Sequence, residues 1–271
     1  MEGDTKYGEL VIPPSIPPGK TPDLLKYWYL GSRVRRYISR RRLTAVIDRV
    51  PAAPGQPVLD VGCGAGLGLA LLGRRGFRPV GIDLVDDGFY AARCIGEANG
   101  LKVGLINADV SRLPFRPSTF RAVTAVEMLE HVFEGDRRSA FAEMARVISP
   151  GGALVLSTPN YNSFVEIGKR LLYKSRSLRR LLPFMHYPTP DVGRASYHPH
   201  SYHLPIPQRN LRTLLEDAAF TVVATRKFLF ALKYTPDALL RIMQGVESLL
   251  ERLPLVRELA CTVLIVAVKA G

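Results

Sequence analysis

Val58-Leu59-Asp60-Val61-Gly62-Cys63-Gly64-Ala65-Gly66 decides how the rest of the chain is read. Residues 58–61 are a short apolar run suited to a buried strand. Glycines at positions 62, 64 and 66 then permit a tight turn, and without Cβ atoms they let a ligand lie against the backbone. The spacing is not G-x-G-x-x-G, and no Gly-Lys-Ser/Thr follows. The usual dinucleotide fingerprint and the phosphate loop are therefore both disfavoured.

Downstream, short apolar runs alternate with helical stretches. After the turn comes a helix to about Arg75, a strand at 79–83, a helix at 87–99 and strands at 103–109 and 122–126. A helix at 139–148 stops at Pro150-Gly151-Gly152, and a fifth strand covers 153–158. This alternation implies a doubly wound, Rossmann-like α/β domain with a mostly parallel sheet covered on both faces. The C-terminal part adds a helix at 208–218, a β-like run at 221–230, a long amphipathic helix near 236–252 and an all-apolar strand at 261–269. We expect seven strands, the last antiparallel and inserted between the fifth and the sixth.

The flanks divide as follows. Residues 1–22 hold Pro13, Pro14, Pro17, Pro18 and Pro22 and read as an extended leader. Residues 23–50 are rich in arginine and aromatics and read as a helical cap; 51–271 form the main domain, with 159–204 inserted after the fifth strand. Cys63, Cys94 and Cys261 lack metal-like spacing, which points to a reducing cytoplasm. No basic-then-apolar leader opens the sequence, and no segment is long enough to span a bilayer. The net charge of +13 favours anionic partners without choosing among lipid headgroups, nucleic acid and phosphorylated substrates.

In an open α/β sheet the ligand crevice lies at the carboxyl ends of the strands. Asp83 ends the second strand, where a carboxylate can accept from two ribose hydroxyls, and Asp109 follows the third, placed to accept from an exocyclic amine. The segments VLDVGCGAG, VGIDL, NADVSRLPF, FRAVTAVEMLEHV and RVISPGGALVLSTPN together resemble the class I S-adenosylmethionine-dependent methyltransferases. The branch they resemble includes the ubiquinone-biosynthesis O-methyltransferases. The likeness is strong over about residues 55–160 and loose elsewhere. It implies that Asp60, Gly62, Gly64 and Gly66 meet the methionine portion of the cofactor, that Asp83 holds the ribose and that Asp109 meets the adenine. Cys63, Leu84, Val110 and Glu127 are expected in the same pocket. Arg121 departs from the family, which usually has an aspartate there.

Glu127-Met128-Leu129-Glu130-His131 follows the fourth strand. On a helical turn Glu127, Glu130 and His131 would share one face. Such a set can bind a divalent metal (magnesium, manganese or zinc) or arrange general-base catalysis by His131; it can equally be a helix start with acids placed for the dipole. The resemblance implies a metal in two groups. The ubiquinone enzymes use this segment, and the small-RNA 2′-O-methyltransferases add a histidine supplied after the fifth strand. Here His186, His198, His200 and His203 are available, with His203 the chosen fourth ligand.

The insertion can place leucines opposite cations around Lys169, Arg170, Lys174, Arg176, Arg179 and Arg180, as a helix lying at an anionic membrane or over the site would. A second basic stretch, Arg33 to Arg42, interleaves with Tyr27, Trp28, Tyr29 and Tyr37. The expected acceptor is a hydroxyl on a small hydrophobic, lipid-linked or glycan-type molecule. Two other readings stay open: an RNA 2′-O-methyltransferase with a Glu/Glu/His metal site, and a non-catalytic cofactor-binding partner subunit.

Overall fold

A computed structural model describes residues 10–13, 16, 25–26, 30–174 and 202–270, without the side chains of Tyr173 and Lys174. Most of the leader, Tyr27, Trp28, Tyr29, His186, His198, His200 and much of the insertion lie outside the described residues.

The strands are β1 (Pro57–Val61), β2 (Arg78–Asp83), β3 (Gly104–Asn107), β4 (Phe120–Val126), β5 (Ile148–Pro159), β6 (Phe220–Phe228) and β7 (Thr262–Lys269). They form one sheet in the order β3-β2-β1-β4-β5-β7-β6. The first five are parallel, and β7 runs antiparallel to both β5 and β6. This is the Rossmann-like order expected from the sequence, with the last strand inserted as foreseen. The helices are α1 (Arg33–Ile47), α2 (Leu67–Arg74), α3 (Phe89–Ala98), α4 (Arg137–Val147), α5 (Phe164–Lys174), α6 (Gln208–Asp217), α7 (Leu240–Leu250) and α8 (Pro254–Arg257).

Alternation along each strand builds the two faces. Leu59, Val61, Val123, Leu154, Leu156 and Ile265 turn toward α4 and α6, where Phe141, Met144, Leu211 and Leu215 meet them. Val58 and Ala122 turn the other way, onto Leu71, Leu72, Ala91 and Ile95 of α2 and α3. Val155, Leu264 and Val266 pack under Val34, Ile38 and Val46 of α1. β7 is buried on both faces over its first six residues, as its unbroken apolar run requires.

Three local readings need adjustment. The fifth strand begins at Ile148, because Gly151 adopts φ +68° and the chain between Ile148 and Ala153 bulges while keeping its pairing with β4. Within the cap, the described helix is Arg33–Ile47. The long helix near 236–252 is a 3₁₀ turn at Asp237–Leu239 leading into α7, with α8 following separately after Leu253. The 3₁₀ turn has a partner: both Asp237 carboxylate oxygens accept at 3.0 Å from the N–H groups of Arg33 and Val34, capping α1. Without an acid in its own first turn, α1 gains there the negative charge its dipole favours.

Candidate active site

The crevice begins at the turn after β1. Gly62, Gly64 and Gly66 all have positive φ, at 72°, 46° and 76°. The glycines serve different ends. A Cβ on Gly62 would stand 2.4 Å from Met128 Cγ, and one on Gly66 2.5 Å from Ala92 Cβ, so packing excludes a side chain at both. A Cβ on Gly64 would meet nothing within 4 Å, so this is where the turn opens onto ligand space. Cys63, expected in the pocket, is occupied otherwise. Its thiol packs with Leu69 and Phe89, its N–H donates to the Ile82 carbonyl and its carbonyl accepts from Gly66.

Asp60 shares a sheet face with Val58, which sets its carboxylate beneath the start of α2. Oδ2 lies 2.6 Å from where a Cβ on Gly68 would be, and Oδ1 accepts at 2.7 Å from the Thr124 hydroxyl. Burial pushes this carboxyl up to about 7; the Thr124 bond opposes the shift and the Asp83 charge adds to it. Asp83 ends β2 with Oδ2 accepting from Gly64 N–H (2.9 Å) and Oδ1 from Val85 N–H (3.2 Å). The glycine turn and the acid at the second strand end are thus joined directly. Leu84 next to it is exposed, and the Asn107 amide donates to the carbonyls of Asp83 and Leu84, tying the third strand end to the second. Asp109 lies just beyond β3, half-buried, with Oδ1 accepting from Ser111 N–H at 2.8 Å. Val110 beside it leans on the main core.

At the end of β4 the expected helical turn is absent at its first residue. Glu127 sits at φ +50°, and only Leu129–His131 form a short 3₁₀ turn. Glu127 is therefore not on one helical face with Glu130 and His131. Its carboxylate is held by Arg42 Nη1 at 3.2 Å and by the Ser157 hydroxyl at 2.9 Å, while Arg42 Nε donates to Thr262 Oγ1. Burial raises the Glu127 carboxyl, and the Arg42 guanidinium works against that rise.

Glu130, His131 and His203 do come together: one ligand atom from each lies within 4.8 Å of the others. The His131 and His203 rings are 5.3 Å apart between centroids. His131 Nδ1 is 2.6 Å from the Tyr202 carbonyl, an oxygen that can only accept, so Nδ1 carries a proton and, in the neutral ring, the lone pair falls on Nε2. Burial, and then the neighbouring His131, push His203 down to about 3, so its ring is neutral at any physiological pH. Glu130 is pushed up to about 8 by burial and by Glu127, against a 3.0 Å bond from the Thr158 hydroxyl. The 202–204 segment reaches the cluster because Leu204 N–H donates to the Glu130 carbonyl, and buried Arg137 bridges the carbonyls of Val132 and Leu204.

Thr124, Arg137, Ser157 and Thr158 escaped the sequence reading, because they occupy ordinary positions in strands and helices that no pattern marks; Arg42 was legible only as one member of the basic stretch.

On its donor set the crevice fits S-adenosylmethionine: an open glycine cradle, a buried acid beside it and a second acid aligned by the cradle itself. Known proteins agree with the geometry. Residues 58–152 match the model of a methyltransferase domain. The ubiquinone biosynthesis O-methyltransferase of Hahella chejuensis (strain KCTC 2396) is 41% identical over 117 residues, covering 43% of this chain and 48% of the relative. The enzyme of the same name from Vibrio cholerae (strain ATCC 39541) is 32% identical over 156 residues, covering 55% and 63%. The chain thus spans about half to just under two thirds of these relatives. Among solved structures, the geranyl diphosphate C-methyltransferase of Streptomyces coelicolor A3(2) superposes with a TM-score of 0.56 at 19% identity, covering 87% of this chain and 80% of that one. At that identity it speaks for the fold alone. Domain model, relatives and strand order agree: residues 58–152 match a methyltransferase domain, and the chain is similar there to S-adenosylmethionine-dependent O-methyltransferases on a Rossmann-like sheet.

Proposed function

We propose that the protein is an O-methyltransferase that moves a methyl group from S-adenosylmethionine to a hydroxyl of a small hydrophobic or lipid-linked acceptor, glycan-type acceptors included. One observation carries this reading. The glycine turn with its acids and the Glu130–His131–His203 group stand at the carboxyl ends of neighbouring strands, so a donor and a proton acceptor face one crevice. The O-methyltransferase names of the relatives support the choice of oxygen.

The bound cofactor supplies an electrophilic methyl group on a sulfonium. In this reading Asp60 meets its ammonium, Gly62, Gly64 and Gly66 carry the methionine portion, Asp83 accepts from the ribose and Asp109 from the adenine amine. Leu84 and Val110 flank the base. His131 is the catalytic base: Nδ1–H is fixed by the Tyr202 carbonyl, so Nε2 receives the acceptor's proton. Alignment of the hydroxyl with the donor does much of the remaining work.

A second reading rests on the same cluster. Glu130, His131 and His203 offer an oxygen and two nitrogens at spacings that suit one divalent ion, magnesium, manganese or zinc alike. An ion held there would lower the pKa of an acceptor hydroxyl. Glu127, engaged with Arg42, would stand outside that ligand set. Labelled cofactor screened against a metabolite extract tests the enzyme, and chelation separates the readings. Activity that survives EDTA but is lost in His131→Ala supports the base. Activity abolished by EDTA and restored by added metal supports the ion. Full activity in both treatments refutes both.

A further inference from the structure

Helix α7 carries apolar side chains on an outer as well as an inner face. Glu247 within it and Glu251 at its C-cap face the protein. Glu247 accepts from the Tyr37 hydroxyl at 2.6 Å and from the N–H groups of Phe230 and Ala231, and it pairs with Arg41 at 2.9 Å. Glu251 pairs with Arg41 at 2.7 Å and Arg226 at 2.9 Å, and accepts from Leu229 N–H. Leu240 and Met243 pack inward beside Glu247, and a second set of large apolar side chains faces water. Ile242, Val246 and Leu249 stand at i, i+4 and i+7, a single stripe of the helix, and Leu253 and Leu255 continue it past the helix end. Ile242 is 66% exposed and Leu255 86%. A helix serving only its own core buries the apolar stripe and shows its charges. A contiguous exposed stripe marks an interaction surface.

The charge on this surface says which partner it fits. Arg241, Arg252 and Arg257 are exposed in this segment; of the nearby acids Glu247 and Glu251 turn inward, and exposed Glu258 is paired with Lys227. Exposed apolar side chains among three guanidiniums, with the nearby carboxylates turned inward or already paired, complement an anionic lipid headgroup layer. They complement a second copy less well, since a two-fold pairing would set three arginines against three with only Glu258, itself paired with Lys227, nearby. Position agrees. Phe228 ends β6 and Thr262 begins β7 opposite Pro159, the end of parallel β5, so the excursion carrying α7 and α8 stands at the crevice end of the sheet.

We propose that this stripe and its three arginines dock the protein on an anionic bilayer surface, with the crevice end toward the lipid. Docking does not depend on which acceptor is methylated, and it is read without cofactor or acceptor present.

The test uses the full chain and extruded vesicles of phosphatidylcholine, alone or with about 30% phosphatidylglycerol, in a flotation assay at low salt. Wild type should float with the anionic vesicles, much less with the neutral ones, and release at high salt. Arg241→Gln/Arg252→Gln/Arg257→Gln should weaken binding about 100-fold, at about fivefold per basic residue. Ile242→Ser/Leu249→Ser/Leu255→Ser should weaken it at least about 10-fold while S-adenosylmethionine affinity by calorimetry stays at the wild-type value. Should the triple serine variant fold poorly, Leu255→Ser alone, at the most exposed position, should still lower binding severalfold. Any of the following overturns the proposal: no flotation of wild type at low salt, wild-type flotation by both triple variants, or a dimer in solution that the serine variant splits. Lost cofactor affinity in wild type would instead refute the methyltransferase reading and leave docking standing.

Discussion

Asp60→Asn keeps the shape of a buried side chain and its bond from the Thr124 hydroxyl, and removes one titration. Burial lifts that carboxyl from an ordinary 3.8 to about 7, so the folded protein holds a proton that the unfolded chain has released. The sign follows from linkage: the cost is absent below the unfolded value, accumulates as pH climbs from 3.8 to about 7, and is constant above. From pH 5 to pH 8 the two values imply a loss of at most about 2–3 kcal/mol for wild type, at about 1.4 kcal/mol per unit. In a chain of this size that is about 4–10 °C of melting temperature, which the asparagine variant should not lose. Differential scanning fluorimetry of both proteins without cofactor, at matched ionic strength, measures the difference directly, because every other titrating group is common to the pair. The same variant should bind S-adenosylmethionine about 1.5–3 kcal/mol more weakly by calorimetry, the worth of a charge-assisted bond. Melting temperatures that fall in parallel with pH, within about 1 °C, would show that Asp60 ionises like an ordinary aspartate and refute the argument.

Asp83→Ala removes both the ribose acceptor and the Gly64 N–H partner, and should weaken cofactor binding by about 1.5–3 kcal/mol in a calorimetric titration. Gly64→Ala and Gly68→Ala form a contrasting pair. The first places a methyl in open space and should cut cofactor affinity with only the strain of a positive φ, about 1 kcal/mol, charged to stability. The second drives a methyl against Asp60 Oδ2 and should lower thermal stability by about 1–3 kcal/mol. Arg137→Met leaves the Val132 and Leu204 carbonyls without that donor; we expect about 1–3 kcal/mol of destabilisation in urea and a fall in kcat, because the segment bearing His203 loses its anchor.

The fold was legible because each signal was local. An apolar run followed by alternating glycines at 58–66 specifies a strand, a tight turn and a helix start, and Gly66 with φ 76° is indeed the residue before α2. The unbroken apolar character of β7 required burial on both faces, hence an interior place in the sheet. The end of β4 was not legible in the same way. Glu127, Glu130 and His131 have helical spacing, yet the chain leaves β4 through a positive φ at Glu127, with its N–H donating to the Ser157 carbonyl of the neighbouring strand. A backbone bond from another strand overrides spacing, and nothing within 127–131 announces it. Arg137 illustrates the same limit: its function is to satisfy two carbonyls brought near by tertiary folding.

Which carboxylates the Glu127–His131 segment offers to the crevice is decided by α1, a helix outside the matched domain at 58–152. Consecutive helical residues point about 100° apart. Arg41 therefore turns to Glu247 of α7 and Glu251 at its C-cap, while Arg42 turns to Glu127 and Thr262. An arginine on Glu127 offsets its charge and leaves Glu130 as the carboxylate grouped with the two histidines. A relative with the same Glu-x-x-Glu-His motif but no cation at this place would keep two acids there, and with them a stronger pull on a divalent ion. The presence of the motif is thus insufficient to assign a metal. The same helix, held at its start by Asp237 and along its side by Glu247 and Glu251, is also the element through which the exposed apolar stripe and the crevice share structure. Loosening α7 should accordingly disturb Arg42 before it disturbs the glycine turn, which is braced separately by Asp83 and by the packing of Met128 on Gly62.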